Sequence, residues 1–303
     1  MTDWATFAGL TAVALFALLA LARASSGAVP ASDDNDASGD AARPDPEGPA
    51  AEPLSEPPGD RPPDAVDADA GVDDRAPGGS LGADPFPAED VDPITGVDLS
   101  GGPSTGALLL NVAVSQGIFG ALVLGAAWYT EVPASAFGAA VELSGALPAA
   151  ALGAVIGLVL YAANAGVAVV AGAAGIEFDS GLRELLTPET PAGWALLLGV
   201  VLPTIAGVEE LLFRGALVGA LSVGFDVSPW LLAVASSGAF ALGHGAQGRA
   251  GIAVTGLLGF ALAAAFVLTG SLLTVVVAHY VVNATEFVAG GWLGVEWGQV
   301  RNE

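Results

Sequence analysis

Residues Leu147–Gly175 read LPAAALGAVIGLVLYAANAGVAVVAGAAG, without a single charged side chain. About 20 apolar residues suffice for a helix to cross a hydrocarbon core of about 30 Å. Runs of the same kind recur on both sides. They are Ala107–Tyr129, Ala192–Ala206, a polar-spiked stretch Gly207–Val223, Pro229–Gly243, Ala250–Leu268 and Leu272–Gly290. A further run, Trp4–Ala22, lies near the start of the chain. The pattern predicts an all-α, polytopic membrane helix bundle of about eight transmembrane helices. A barrel needs alternating segments of about ten residues, and none is present. Abundant Gly, Ala and Ser suit close helix contact in lipid.

The rest of the chain has the opposite character. The 303 residues carry a formal charge of −24, and 19 of the 32 acids fall between residues 24 and 105. That segment is rich in Pro, Asp, Ala and Gly and lacks the apolar surface that offsets ordering entropy. The expected organisation is therefore a helix at 1–23, an acidic disordered linker at 24–105, a membrane domain at 106–290 and a tail at 291–303. The first helix reads as a retained anchor, because its start, Met1-Thr2-Asp3, lacks the basic n-region of a signal peptide. A cleaved signal peptide is the alternative, since Ala22-Arg23-Ala24 resembles a cleavage site. A short piece at Glu131–Glu142 is expected to lie amphipathically at the interface. The linker reads as a solvated spacer. All eight cationic side chains are Arg and none is Lys. That bias resembles proteins of high-salt, halophilic cytoplasms, although GC-rich coding produces it too.

Composition excludes several classes. There is no Cys, so disulfide scaffolds and thiolate zinc sites are ruled out. The basic footprint of a nucleic-acid binder is missing, and no nucleic-acid partner is expected. The expected partners are membrane lipid and a membrane-associated peptide or protein, and the expected location is the cell membrane, multi-pass.

Ionisable groups inside a membrane are costly and usually functional. Here they are few. Glu209, Glu210 and Arg214 lie in Val208-Glu209-Glu210-Leu211-Leu212-Phe213-Arg214. His244 ends Phe240-Ala241-Leu242-Gly243-His244, and His279 opens His279-Tyr280-Val281-Val282-Asn283. Glu210 and Arg214 are four apart and can pair on one helix face. Glu209 is rotated by about 100° from Glu210, free to point elsewhere. Phe240 shares a face with His244, and His279 with Asn283. A free Glu, a His and a His/Asn donor pair are the parts needed to activate water and hold an oxyanion. Each motif alone also has an ordinary structural reading, as helix-end histidine, buried ion pair or interhelical hydrogen bond.

The ordered set Glu-Glu-x-x-x-Arg, Phe-x-x-x-His and His-x-x-x-Asn, in that order on separate helices, resembles the CPBP intramembrane proteases. These include the type II CAAX prenyl endopeptidases and the Abi bacteriocin-processing proteins. The resemblance implies that Glu209 and His244 activate a water and that His279 and Asn283 form the oxyanion hole. It assigns Glu210 and Arg214 to a supporting ion pair, with Phe240 packed beside His244. It implies no cofactor. Zinc held by Glu209, His244 and His279 stays open, although no HExxH spacing is present. A non-enzymatic scaffold or immunity protein of the same fold is the alternative function.

Overall fold

A computed structural model describes residues 1–26, 104–139, 143–176 and 181–295. The expected acidic linker lies outside the described residues but for its extremities, and so does the tail beyond residue 295. Every regular element among the described residues is helical. In chain order these are α1 (Trp4–Ser26), α2 (Thr105–Tyr129), α3 (Leu143–Ala173), a short α4 (Gly181–Leu186), α5 (Pro191–Phe225), α6 (Pro229–Gly243), α7 (Gly248–Thr269) and α8 (Leu272–Trp292). The protein is a multi-pass membrane helix bundle: six of these helices, all but α4 and α6, are long and apolar enough to span a bilayer.

Among the described residues six helices meet that length, and α6 is a shorter apolar helix of 15 residues. The two runs Ala192–Ala206 and Gly207–Val223 are one helix, α5, of 35 residues. The Glu pair spikes the hydropathy but does not break the helix, because its carboxylates find partners inside the bundle. Two stretches of α5, Leu197–Val201 and Leu211–Ala220, are wound as π-helix. The first lies just before Pro203. Proline lacks an N–H and clashes with the carbonyl one turn back, and a wider turn there relieves both problems. The expected interfacial piece at Glu131–Glu142 is instead a 3₁₀ turn, Ala134–Phe137, tucked inward. Phe137 is buried, edge-on to Phe7 at 5.6 Å. Residues 140–142 lie outside the described residues.

Helix α1 is packed into the bundle. Phe7, Thr11 and Ala14 are buried. Asp3 caps the helix, accepting from the Thr6 hydroxyl at 2.6 Å and the Thr6 N–H at 3.0 Å. These bonds hold the Asp3 carboxyl below the usual carboxylate range, the hydroxyl contributing most. The residues ahead of α1 clasp the turn after α2: Asp3 N–H donates to the Thr130 carbonyl at 3.0 Å, and the Met1 amine to Glu131 at 3.2 Å.

Glycine sets the closest helix contact. A Cβ at Gly157 of α3 would lie 2.6 Å from the Ala278 carbonyl of α8, and one at Gly153 would overlap the Thr274 carbonyl. This Gly-x-x-x-Gly seam brings the two backbones together, as small residues do in lipid. It fixes the helix that carries His279 and Asn283.

The helix directions sort the charges. Thr130, Gly138, Gly224 and Gly270 gather at the end where α1 begins, through the Asp3–Thr130 bond and the Gly224–Trp4 and Gly138–Gly270 contacts. That end carries Asp3, Glu131 and Asp226. Arg23 in the last turn of α1, Arg249 in the first turn of α7, and Arg183, paired with Glu286 of α8 at 2.8 Å, lie at the other end. The positive-inside bias predicts that the arginine end faces the cytoplasm. The cysteine-free chain makes this simple to check. Ser228→Cys is expected to react with an impermeant maleimide on intact cells, and Ala24→Cys only after lysis. The reverse labelling would invert the assignment.

Candidate active site

Four helices bring polar groups together inside the bundle. Helix α5 supplies Glu209, Glu210 and Arg214; α6 supplies Phe240 and ends on His244; α8 supplies His279 and Asn283; α2 supplies Gln116. Glu210 and Arg214 are fully buried, with Arg214 Nη1 donating to Glu210 Oε1 at 2.7 Å. The pairing expected from the i,i+4 spacing is present. Arg214 also donates from Nη2 to the Gly259 carbonyl of α7 at 2.9 Å, and its guanidinium lies 4.7 Å from the Phe240 ring centre. A Cβ at Gly259 would meet the Phe240 ring at 3.0 Å. The absence of a side chain there lets α7 reach the guanidinium. Desolvation of a buried cation is offset only by such multiple contacts.

His279 is also held by Glu210: Nδ1 lies 2.7 Å from Oε1, the oxygen that Arg214 uses. Beside an arginine, Glu210 acts as an ionised acceptor, so His279 Nδ1 carries a proton. The remaining nitrogen, Nε2, stands 3.8 Å from Glu209 Oε2, beyond hydrogen-bond reach. His244 is fixed in the same way. Its Nδ1 lies 2.8 Å from the Phe240 carbonyl, which can only accept, and its ring packs 4.5 Å from the Phe240 ring. Phe240 in turn meets His279 edge-on at 6.0 Å. One aromatic ring therefore lies between both imidazoles and the arginine, and each imidazole keeps Nε2 available.

The two glutamates differ as their rotation about α5 predicts. Glu210 Oε1 accepts two strong bonds. Glu209 accepts one long bond, from Gln116 Nε2 at 3.5 Å, and its Oε2 has no hydrogen-bond partner among the described residues. Glu209 is 9% exposed and His279 3%.

The remaining sequence-derived residues are less tightly drawn in. Asn283 follows His279 by one turn, is half-buried, and makes no hydrogen bond among the described residues. His244 is half-buried and makes no direct bond to Glu209. Four donors at about 2.0–2.2 Å are needed for a tetrahedral zinc site, or three with an open position. Among the described residues no three His, Asp or Glu side chains converge in that way. The candidate set Glu209, His244 and His279 does not fit as placed, and no step below is routed through a metal.

Sequence reasoning missed Gln116 and Gly259. Gln116 was visible as a carboxamide inside an apolar run, but nothing in the sequence tied it to Glu209. It also missed a cavity of about 1130 Å³ at the arginine end, lined by Arg183, Thr187, Trp194, Leu198, Tyr280 and Trp292. Tyr280 adjoins His279 in sequence and donates to the Leu198 carbonyl at 3.1 Å.

No curated protein and no solved structure matches the chain. A family model described as type II CAAX prenyl endopeptidase Rce1-like matches residues 190–285, which hold Glu209, Glu210, Arg214, Phe240, His244, His279 and Asn283, and so supports the resemblance carried by the motifs.

Proposed function

We propose that the protein is an intramembrane endopeptidase that hydrolyses a peptide bond with a water activated by Glu209 and His244. The observation that carries this reading is the asymmetry of the glutamate pair. Glu210 is satisfied by Arg214 and His279, whereas the neighbouring Glu209 keeps a buried oxygen, Oε2, that accepts no hydrogen bond among the described residues and lies 3.8 Å from His279 Nε2. Such an oxygen suits a general base, which has to accept a proton during the reaction. Water loses a proton to Glu209, assisted by His244 Nε2, and its oxygen bonds to the substrate carbonyl carbon. The oxyanion is held by donors from His279 Nε2 and the Asn283 amide. Because Nδ1 faces Glu210, donation from His279 Nε2 as well requires both ring nitrogens to carry protons. The C–N bond then breaks, the captured proton passes to the leaving amine, and a carboxylate and an amine remain. Separations of this length tighten when the reacting groups are brought together.

Substrates are proposed to be membrane-associated peptides or proteins, and no metal is proposed. Extensive dialysis against a chelator is accordingly expected to leave the rate unchanged, and a loss restored by zinc would overturn the metal-free reading. The main experiment compares protein fragments in cells carrying the wild type or Glu209→Gln at equal abundance. Fragments should vanish and their precursors accumulate in the variant. Matching profiles, with a phenotype only on deletion of the whole chain, would favour the non-enzymatic scaffold.

A further inference from the structure

A carboxamide in the middle of a membrane helix needs a partner, because lipid offers none. Gln116 of α2 has one on α5. Its Nε2 lies 3.5 Å from Glu209 Oε1, long for a hydrogen bond but close enough to tighten. The amide can only be turned this way round, since an ionised carboxylate accepts and does not donate. Its other end, Oε1, is buried without a hydrogen-bond partner among the described residues.

The approach of α2 to α5 is built into both helices. One turn beyond Gln116, on the same face, is Gly120, where a Cβ would come within 2.8 Å of the Val208 side chain. Val208 directly precedes Glu209. A bare glycine at 120 thus sets the spacing that lets the Gln116 side chain reach the carboxylate. Two independent features of α2, a missing side chain and a present one, converge on the same point of α5.

We infer that Gln116 is a positioning residue for the Glu209 carboxylate, supplied by a helix outside the 190–285 segment; the inference rests on the endopeptidase reading above. Gln116 holds Oε1 of Glu209 and leaves Oε2 directed to the reaction. Binding one oxygen fixes the rotation of the carboxylate, which a single side chain on a helix does not do for itself. The two acceptors left over, Gln116 Oε1 and Glu209 Oε2, are available to donors brought by water or by the substrate's backbone N–H.

The test uses the full chain in lipid nanodiscs and the purified precursor identified by the cell comparison. Gln116→Met keeps length and volume but removes the donor. It is expected to lower kcat about 10–100-fold, the scale of a misplaced catalytic group, with KM and melting temperature close to wild type. Gln116→Glu, which sets carboxylate against carboxylate, should lose more. An unchanged kcat in Gln116→Met, or a kcat that falls only in step with the melting temperature, overturns the inference. A second readout needs no turnover. The infrared carboxylate band of Glu209, identified by its loss in Glu209→Gln, should shift in Gln116→Met, and an unmoved band overturns the contact. If Glu209→Gln itself retains full activity, the endopeptidase reading fails, while the infrared band still decides the Gln116 contact.

Discussion

Purified Glu209→Gln is expected to hydrolyse its substrate about 10²–10⁴-fold more slowly than the wild type, the range a positioned general base contributes. Its melting temperature should not fall. Glutamine is nearly isosteric with glutamate, and among the described residues the side-chain hydrogen bond to be disturbed is the long one from Gln116. His244→Ala should behave similarly in rate, since its Nε2 is the other base facing the reaction. The comparison with Glu210 is informative. Glu210→Gln removes the charge that opposes Arg214, so it should lose stability as well as activity. A Glu209→Gln enzyme that turns over at the wild-type rate would remove the glutamate from the mechanism.

Arg214→Met should be the most destabilising single change at the site, by about 3–5 kcal/mol. It removes the guanidinium from a carboxylate that has no access to solvent, leaves that carboxylate only the His279 hydrogen bond, and empties the contacts to the Gly259 carbonyl and the Phe240 ring. The loss measures an orphaned charge more than the worth of the ion pair. The double variant Glu210→Gln/Arg214→Met should therefore melt higher than Arg214→Met alone, because a neutral amide is cheaper to bury than a lone carboxylate. Thermal unfolding of the four proteins completes the cycle. Additive effects would show that the two side chains do not act as a pair.

Those pairings explain what could be read from the chain and what could not. Glu210 and Arg214 are neighbours on one helix, so their contact follows from a spacing of four. The fixing of His244 by the Phe240 ring and carbonyl follows from the same spacing. His279 is different: that it would bond to Glu210, and not to Glu209, depends on how α8 is rotated against α5. That rotation is set by the glycines of α3, far away in sequence. Gln116 and Gly259 were illegible for the same reason, each acting only across a helix interface. The division of α5 into two runs failed. Hydropathy fell at Gly207–Glu210 because charges are scored as though exposed, whereas both carboxylates are buried here and the backbone runs on through wide turns. The 3₁₀ turn at Ala134–Phe137 was misread because Phe137 packs on Phe7 of α1, a partner more than 100 residues distant.

The seam made by Gly153 and Gly157 limits how a substrate can reach the site. A helix bundle has to part somewhere to admit an extended peptide. Along this seam the backbone of α3 is wedged against carbonyls of α8, and the Thr274 hydroxyl reaches the Ala149 carbonyl at 3.3 Å. Parting it would strip the closest packing in the molecule and give lipid tails nothing of matching shape to fill the gap. On the endopeptidase reading, the seam is the side expected to stay closed, and an extended substrate is expected to enter at another face.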